Sequence, residues 1–202
     1  MENINRRAVL KILSAAPVAA GFALTDAEAQ QAHHLAESAR QTAKQAGVAY
    51  TPKFFTPAEY RTVRMLSDLI IPADDRSGGA IDAGVPEFMD FTMVDQPTRQ
   101  VAMRGGLAWL DLECQRRFDK TFVGASDAER HTLLGDLATH GKPTPGLTHG
   151  HAFFRSFRDL TATGFWTTKM GMTDLGYIGN TVVPKWDGCP PEQLKKLGLW
   201  KS

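Results

Sequence analysis

Apolar side chains recur at helical spacing in the middle of this chain. Tyr60, Val63, Leu66 and Ile70 stand three or four residues apart, which places them on one face of an α-helix. Thr56-Pro57-Ala58-Glu59 opens that helix: Thr56 is an N-cap candidate, Pro57 suits the first helical position and Glu59 completes a capping box. Pro72 ends the run. A Gly- and Asp-rich loop follows from Asp74 to Gly84, and Pro86 begins a short helix carrying Phe88, Met89 and Phe91. Pro97 opens a longer helix to about Lys120, with Met103, Leu107, Leu110, Cys114 and Phe118 as its apolar stripe. Gly105-Gly106 weakens that helix by about 1 kcal/mol per glycine, and the pair suggests that another backbone approaches closely there. Ser126-Asp127-Ala128-Glu129 is a second capping box, leading into Leu133, Leu134 and Leu137, with Gly141 as the stop. After a Pro/Gly loop from Lys142 to Gly150, a last clear helix runs from His151 to Lys169, with Phe153, Phe157, Leu160 and Gly164 on one face. From Gly171 onward, glycines and prolines interrupt every periodic run, with Tyr177, Trp186 and Trp200 among them. No run of alternating strands and no internal repeat is present. The expected fold is all-α, a compact helical domain with a long irregular C-terminal segment.

The N-terminal pattern is of another kind. Asn5-Arg6-Arg7-Ala8-Val9-Leu10-Lys11 precedes an apolar stretch that runs to Leu24, and Ala27-Glu28-Ala29 supplies a small-x-small cleavage site. Charged start, apolar middle and small-residue end are the layout of an export signal. Arg6 and Arg7, with Leu10 and Lys11 at the expected offset, resemble the twin-arginine signature. Asn5 and Val9 depart from its hydroxyl and Phe positions. The stretch from Val9 to Leu24 is shorter than the roughly 20 apolar residues of a spanning helix, and it contains Pro17 and Gly21. The expected organisation is a twin-arginine signal peptide at 1–29, a flexible lead or partner-wrapping arm at 30–52, and a helical domain at 53–202. The lead is rich in Ala, Gln, His and Lys and offers few large side chains to a core. Export through this signal places the mature chain in the periplasm.

A net charge of +1 with well-mixed signs leaves no basic stripe, so nucleic acid is not an expected partner. There are two cysteines, Cys114 and Cys189. In an oxidising compartment such a pair tends to close. The expected Cys114–Cys189 bridge would contribute about 4 kcal/mol by the chain-entropy model.

The search for catalytic chemistry is nearly empty. The chain has no G-x-G-x-x-G, no phosphate-binding loop, no G-x-S-x-G, no H-E-x-x-H and no C-x-x-C-H. Two cysteines are too few for an all-thiolate iron–sulfur site. His149-Gly150-His151 is the one histidine arrangement near a loop, and it lacks the further N or S ligands that a closed site needs. Asp74, Asp75 and Asp82 lack the calcium-loop pattern and read as a solvated turn. Arg116-Arg117 suits a helix C-terminus. No catalytic, cofactor-binding or metal-ligating residue is assigned. On the aromatic helix, Phe153 and Phe157 share a face and read as core. Phe154 and Trp166 point elsewhere and, with Tyr177 and Trp186 in the tail, are the candidates for partner contact.

Several segments in order resemble one family. These are Phe54-Phe55-Thr56-Pro57-Ala58-Glu59, Leu69-Ile70-Ile71-Pro72, Ile81-Asp82-Ala83-Gly84-Val85-Pro86 and Phe88-Met89-Asp90. Arg104-Gly105-Gly106-Leu107-Ala108-Trp109-Leu110, Phe153-Phe154 to Thr161, Gly164-Phe165-Trp166-Thr167-Thr168 and Leu175-Gly176-Tyr177-Ile178-Gly179-Asn180 continue the series. Together, over about 50–190, the chain resembles the gluconate 2-dehydrogenase subunit 3 family. The resemblance implies a small non-catalytic subunit beside a large FAD-dependent dehydrogenase of the glucose–methanol–choline class. That partner would oxidise a sugar, sugar acid or polyol and pass electrons to a multihaem cytochrome c subunit. FAD, and iron–sulfur or haem c where present, would belong to the partner subunits. The small subunit would engage the twin-arginine translocase and carry its partner out, leaving the complex peripheral to the inner membrane. Two other readings stay open: a stand-alone periplasmic metal-dependent enzyme acting through His149 and His151, and a ligand-binding module.

Overall fold

The computed structural model describes residues 24–138, 146–177 and 188–199. Among the described residues there are eight α-helices, one short 3₁₀ turn at Pro97–Arg99 and no strand, so the all-α expectation holds. The helices are α1 (Asp26–Gln45), α2 (Pro57–Ile70), α3 (Val85–Asp95), α4 (Gln100–Phe118), α5 (Asp127–Ala138), α6 (Thr148–Trp166), α7 (Lys169–Leu175) and α8 (Pro191–Lys196). The segment after Gly171 thus carries the end of one short helix and the whole of another. None of the described helices is long and apolar enough to cross a membrane.

Both capping boxes form where the sequence places them. Thr56 accepts from the backbone N–H of Glu59 at 3.2 Å while Glu59 accepts from the backbone N–H of Thr56 at 2.8 Å. Ser126 and Glu129 do the same at the start of α5, and Lys120 adds an ion pair to Glu129 at 2.9 Å. The Ser126 backbone donor, then Lys120, hold the Glu129 carboxyl down to about 2.

α3 is the centre of the molecule. Every residue from Val85 to Met93 is buried, because α1, α2 and α6 all pack on it. A helix enclosed on all sides has no polar face, yet this one carries Glu87 and Asp90. Asp90 is fully buried and accepts four hydrogen bonds, from the Tyr50 hydroxyl and the Lys53 backbone N–H (both 2.7 Å), and from Phe54 N–H (2.9 Å) and Phe55 N–H (3.0 Å). One carboxylate therefore ties down the chain between α1 and α2. Tyr60 donates to Glu87 at 3.0 Å. Burial, together with these carboxylate neighbours, pushes both tyrosine hydroxyls well above their usual range.

The stretch at 30–52, expected as a flexible lead or wrapping arm, is mostly helix and docks on the core. α1 lays Ala29, Ala32 and Ala36 against α3. Alanines give no strong hydrophobic period, but they let two helices approach closely. His33 fills the space between them. It stacks on Phe88 with ring centroids 4.4 Å apart and shares a 2.6 Å hydrogen bond with the Thr167 hydroxyl. Burial lowers its pKa from the usual 6.5 to about 4, against the opposing pull of Glu37. The folded state therefore disfavours the charged imidazole. The stability His33 contributes is full above pH 6.5 and declines as pH falls toward 4. Urea midpoints at about pH 7.5 and pH 4.5 check this: the fall should be smaller in His33→Gln than in the parent chain.

The expected disulfide does not form. Cys114 is buried on the inner face of α4, Cys189 is exposed before α8, and both thiols are free. The periodic pattern correctly turns Cys114 inward, and that same orientation encloses it in the core. Burial pushes its thiol up to about 11. Under native conditions at pH 8, iodoacetamide should label Cys189 rapidly and Cys114 only after denaturation. Equal labelling of both would contradict this packing.

Candidate partner-binding surface

Among the described residues no group of three or more His, Cys, Asp and Glu side chains is placed to hold a metal ion. His149 is exposed and His151 half-buried at the start of α6. Asp74 accepts from the backbone N–H groups of Arg76 and Ser77, both at 2.9 Å, which is a closed turn. That arrangement and the Ser77 and Arg76 donors hold its carboxyl below the usual range. Arg116 and Arg117 do more than face solvent. Both bond Glu113 at 2.6 Å, and Arg117 reaches Asp136 at 2.6 Å, which links α4 to α5. These bonds, led by Arg116, hold the Glu113 carboxyl down to about 2.

The segments that carry the family resemblance meet one another in space. Arg104 reaches back to Glu59 at 3.1 Å and to the Phe54 carbonyl at 2.9 Å, with its guanidinium 4.5 Å from the centre of the Phe54 ring. Gly106 lies under the ring of Phe153, and Gly150 under the indole of Trp109, so α4 and α6 cross through two ring-on-glycine contacts. A Cβ on Gly164 would stand 2.7 Å from the Phe88 ring, so α6 also needs a glycine where it crosses α3. These residues form a buried framework, and they do not converge on a reactive cleft.

Surface apolar residues are the remaining functional candidates. Phe154 is not one of them: it is 7 % exposed and joins the core. The helical projection separates it from Phe153 and Phe157, but α6 packs against α1, α2, α3, α4, α5 and α7, so more than one of its faces is covered. Trp166 is 37 % exposed at the end of α6, where its ring stands edge-on to Phe165 at 4.9 Å. Tyr177 is 54 % exposed just beyond α7. Met172 and Leu175, on α7 between them, are exposed as well. Neither was legible as a candidate, because Gly171 and Gly176 conceal the helical period of so short an element. Arg76 anchors this end of the molecule, donating to the Asp174 carbonyl at 2.6 Å. Arg6, Arg7, Leu10, Lys11 and Trp186 lie outside the described residues. Ala27 and Ala29 fall within the first turn of α1.

Compared with known proteins, the chain matches the family described as gluconate 2-dehydrogenase subunit 3 over residues 57–185. No curated protein and no solved structure matches it. The match begins at the first residue of α2, runs through the central helix and the α4–α6 crossing, and continues past Tyr177. This chain belongs to the gluconate 2-dehydrogenase subunit 3 family, the accessory subunits of an oxidoreductase complex.

Proposed function

We propose that this chain is the non-catalytic small subunit that binds, stabilises and co-exports a FAD-dependent dehydrogenase of the glucose–methanol–choline class. The partner acts on a sugar, sugar acid or polyol. The observation that carries the reading is a conjunction within one chain: the Arg6-Arg7 export signature precedes a domain of the subunit 3 family. FAD resides in the large subunit, and any iron–sulfur or haem c centre in partner subunits. A multihaem cytochrome c subunit takes the electrons, and the complex sits in the periplasm against the inner membrane. The twin-arginine translocase is the second partner, since its substrates cross already folded and a bound subunit can cross with them.

The exposed group Trp166, Met172, Leu175 and Tyr177 is the surface assigned to the large subunit. Aromatic and methionine side chains are enriched where interfaces are buried. Affinity capture through this chain, coexpressed with a flavin dehydrogenase of this class from the same genome, tests both parts. Flavin absorbance should co-elute with the parent chain and be sharply reduced with the double variant Trp166→Ser, Leu175→Asp. Co-elution of flavin unchanged by the variant would remove the surface assignment. No flavin with the parent chain would remove the partner.

A further inference from the structure

Two arginines on α2 lack the carboxylate partner that others have. Arg76, Arg104, Arg116, Arg117, Arg130 and Arg158 each reach a carboxylate oxygen within 3.2 Å. Arg61 and Arg64 stand three residues apart on α2, and among the described residues neither forms an ion pair with a carboxylate. Like charges at this helical spacing are neighbours and repel one another. Arg61 is exposed, whereas Arg64 is half-buried, with its guanidinium 5.9 Å from the centre of the Tyr60 ring.

Both arginines line one hollow of about 330 Å³, whose other walls are Met65, Asp68, Ile81 and Val123. A guanidinium presents a planar fork of N–H donors that matches a carboxylate. Two such forks beside three apolar side chains suit an acidic group on an aliphatic stem. The hollow is open to solvent, so it does not enclose a small molecule as ligand pockets do. A protein surface laid across it would supply the missing wall and, by excluding water, strengthen the ion pair. Ile81 belongs to the segment between α2 and α3 whose Arg76 bonds the Asp174 carbonyl on α7. One segment thus borders both this hollow and the helix that carries Met172 and Leu175.

We propose that the hollow between Arg61 and Arg64 receives an aspartate or glutamate side chain of the flavin dehydrogenase. The inference rests on the partner proposed above and adds a charged contact to the apolar surface assigned there. Charge complementarity selects the occupant. A single carboxylate answers the two guanidinium groups, while Asp68 on the same wall accepts from a backbone N–H beside that carboxylate. A free phosphate carries more negative charge, offers Asp68 no such donor, and meets its repulsion. Arg and Met side chains are also enriched where protein interfaces are buried, and Arg61, Arg64 and Met65 supply them here.

Zero-length crosslinking tests the contact. The double variant Arg61→Lys, Arg64→Lys keeps both charges and is coexpressed, as the full chain, with the dehydrogenase; the complex is then treated with a water-soluble carbodiimide. The reagent activates a carboxylate, a lysine amine displaces it as the urea, and an amide without a spacer remains. Mass spectrometry of the digest should join residue 61 or 64 to an acidic residue of the dehydrogenase. In the second arm, Arg61→Glu, a change at an exposed position, should release flavin from the immobilised complex about tenfold faster or more. A flavin-bearing complex with crosslinks only to Asp68, only to a second copy of this chain, or to nothing would overturn the contact and leave the partner standing. So would release from Arg61→Glu at the parent rate. A rise in the melting temperature of the complex with inorganic phosphate, lost in Arg61→Glu, would give the hollow to a free anion and also overturn it. If no flavin co-purifies with the parent chain, the partner reading fails and the contact fails with it.

Discussion

Asp90→Ala should cost the fold about 3–5 kcal/mol, a large share of its total stability. The carboxylate is completely buried, and its two oxygens receive four donors from the segment that joins α1 to α2. Three of those donors are backbone N–H groups, of which Phe55 lies in the core. Leaving a buried donor unmet costs about 1–3 kcal/mol, and removing the one group that satisfies several costs about 3–5 kcal/mol as a whole. Domains of this size are stable by only about 5–15 kcal/mol. Urea denaturation followed by circular dichroism should therefore show about 3–5 kcal/mol lost. Asp90→Asn should fall between, because its amide oxygen still accepts while its amino group opposes a donor. A midpoint for Asp90→Ala within about 1 kcal/mol of the parent chain would show that water replaces the carboxylate.

Adjacent glycines should respond to alanine with opposite signs. Gly105 and Gly106 are consecutive residues of α4, so their intrinsic helical penalties are equal, about 1 kcal/mol each relative to alanine. A Cβ on Gly105 meets nothing within 4 Å, whereas a Cβ on Gly106 would lie inside the ring of Phe153. Gly105→Ala should thus stabilise by about 0.5–1 kcal/mol, partly by restricting the unfolded chain. Gly106→Ala forces the buried Phe153 ring off its seat, and overpacking of this kind typically costs about 1–3 kcal/mol. Thermal melts of the two single variants provide the check. Two changes of the same sign would mean that the α4–α6 crossing is not set by the ring on Gly106.

The parts of this fold legible in the sequence were those fixed by neighbours a few residues apart. The capping boxes at Thr56 and Ser126 satisfy local backbone donors, and nothing distant has to be known to see them. The docking of α1 was missed because its buried stripe is Ala29, Ala32 and Ala36, with the half-buried His33 beside them. Burial there comes from close approach, and hydropathy does not register it. The Gly105-Gly106 pair did mark a close contact, but the partner is a ring instead of a backbone, and only Gly106 meets it. Asp90 carried a usable signal, a lone carboxylate inside Phe88-Met89-Asp90-Phe91. Its four donors come from about forty residues upstream and could not be assigned from spacing. The same limit applies to Cys114 and Phe154. Each face of a helix can be named from the sequence, but how many faces the tertiary fold covers cannot.

Most of what the structure makes specific is scaffold. The framework of α2, α3, α4 and α6 is held by buried carboxylates and ring-on-glycine contacts, while Trp166, Met172, Leu175 and Tyr177 stand exposed on α6, on α7 and just beyond it. The central claim is that this chain supplies the export signal for both. Its most direct test is to coexpress the pair with Arg6-Arg7 changed to Lys-Lys and to assay dehydrogenase activity in periplasmic and cytoplasmic fractions. The parent pair should place the flavoenzyme in the periplasm, and the Lys-Lys pair should retain both subunits in the cytoplasm with activity intact there. Dehydrogenase reaching the periplasm unaided by the arginine pair would contradict the claim.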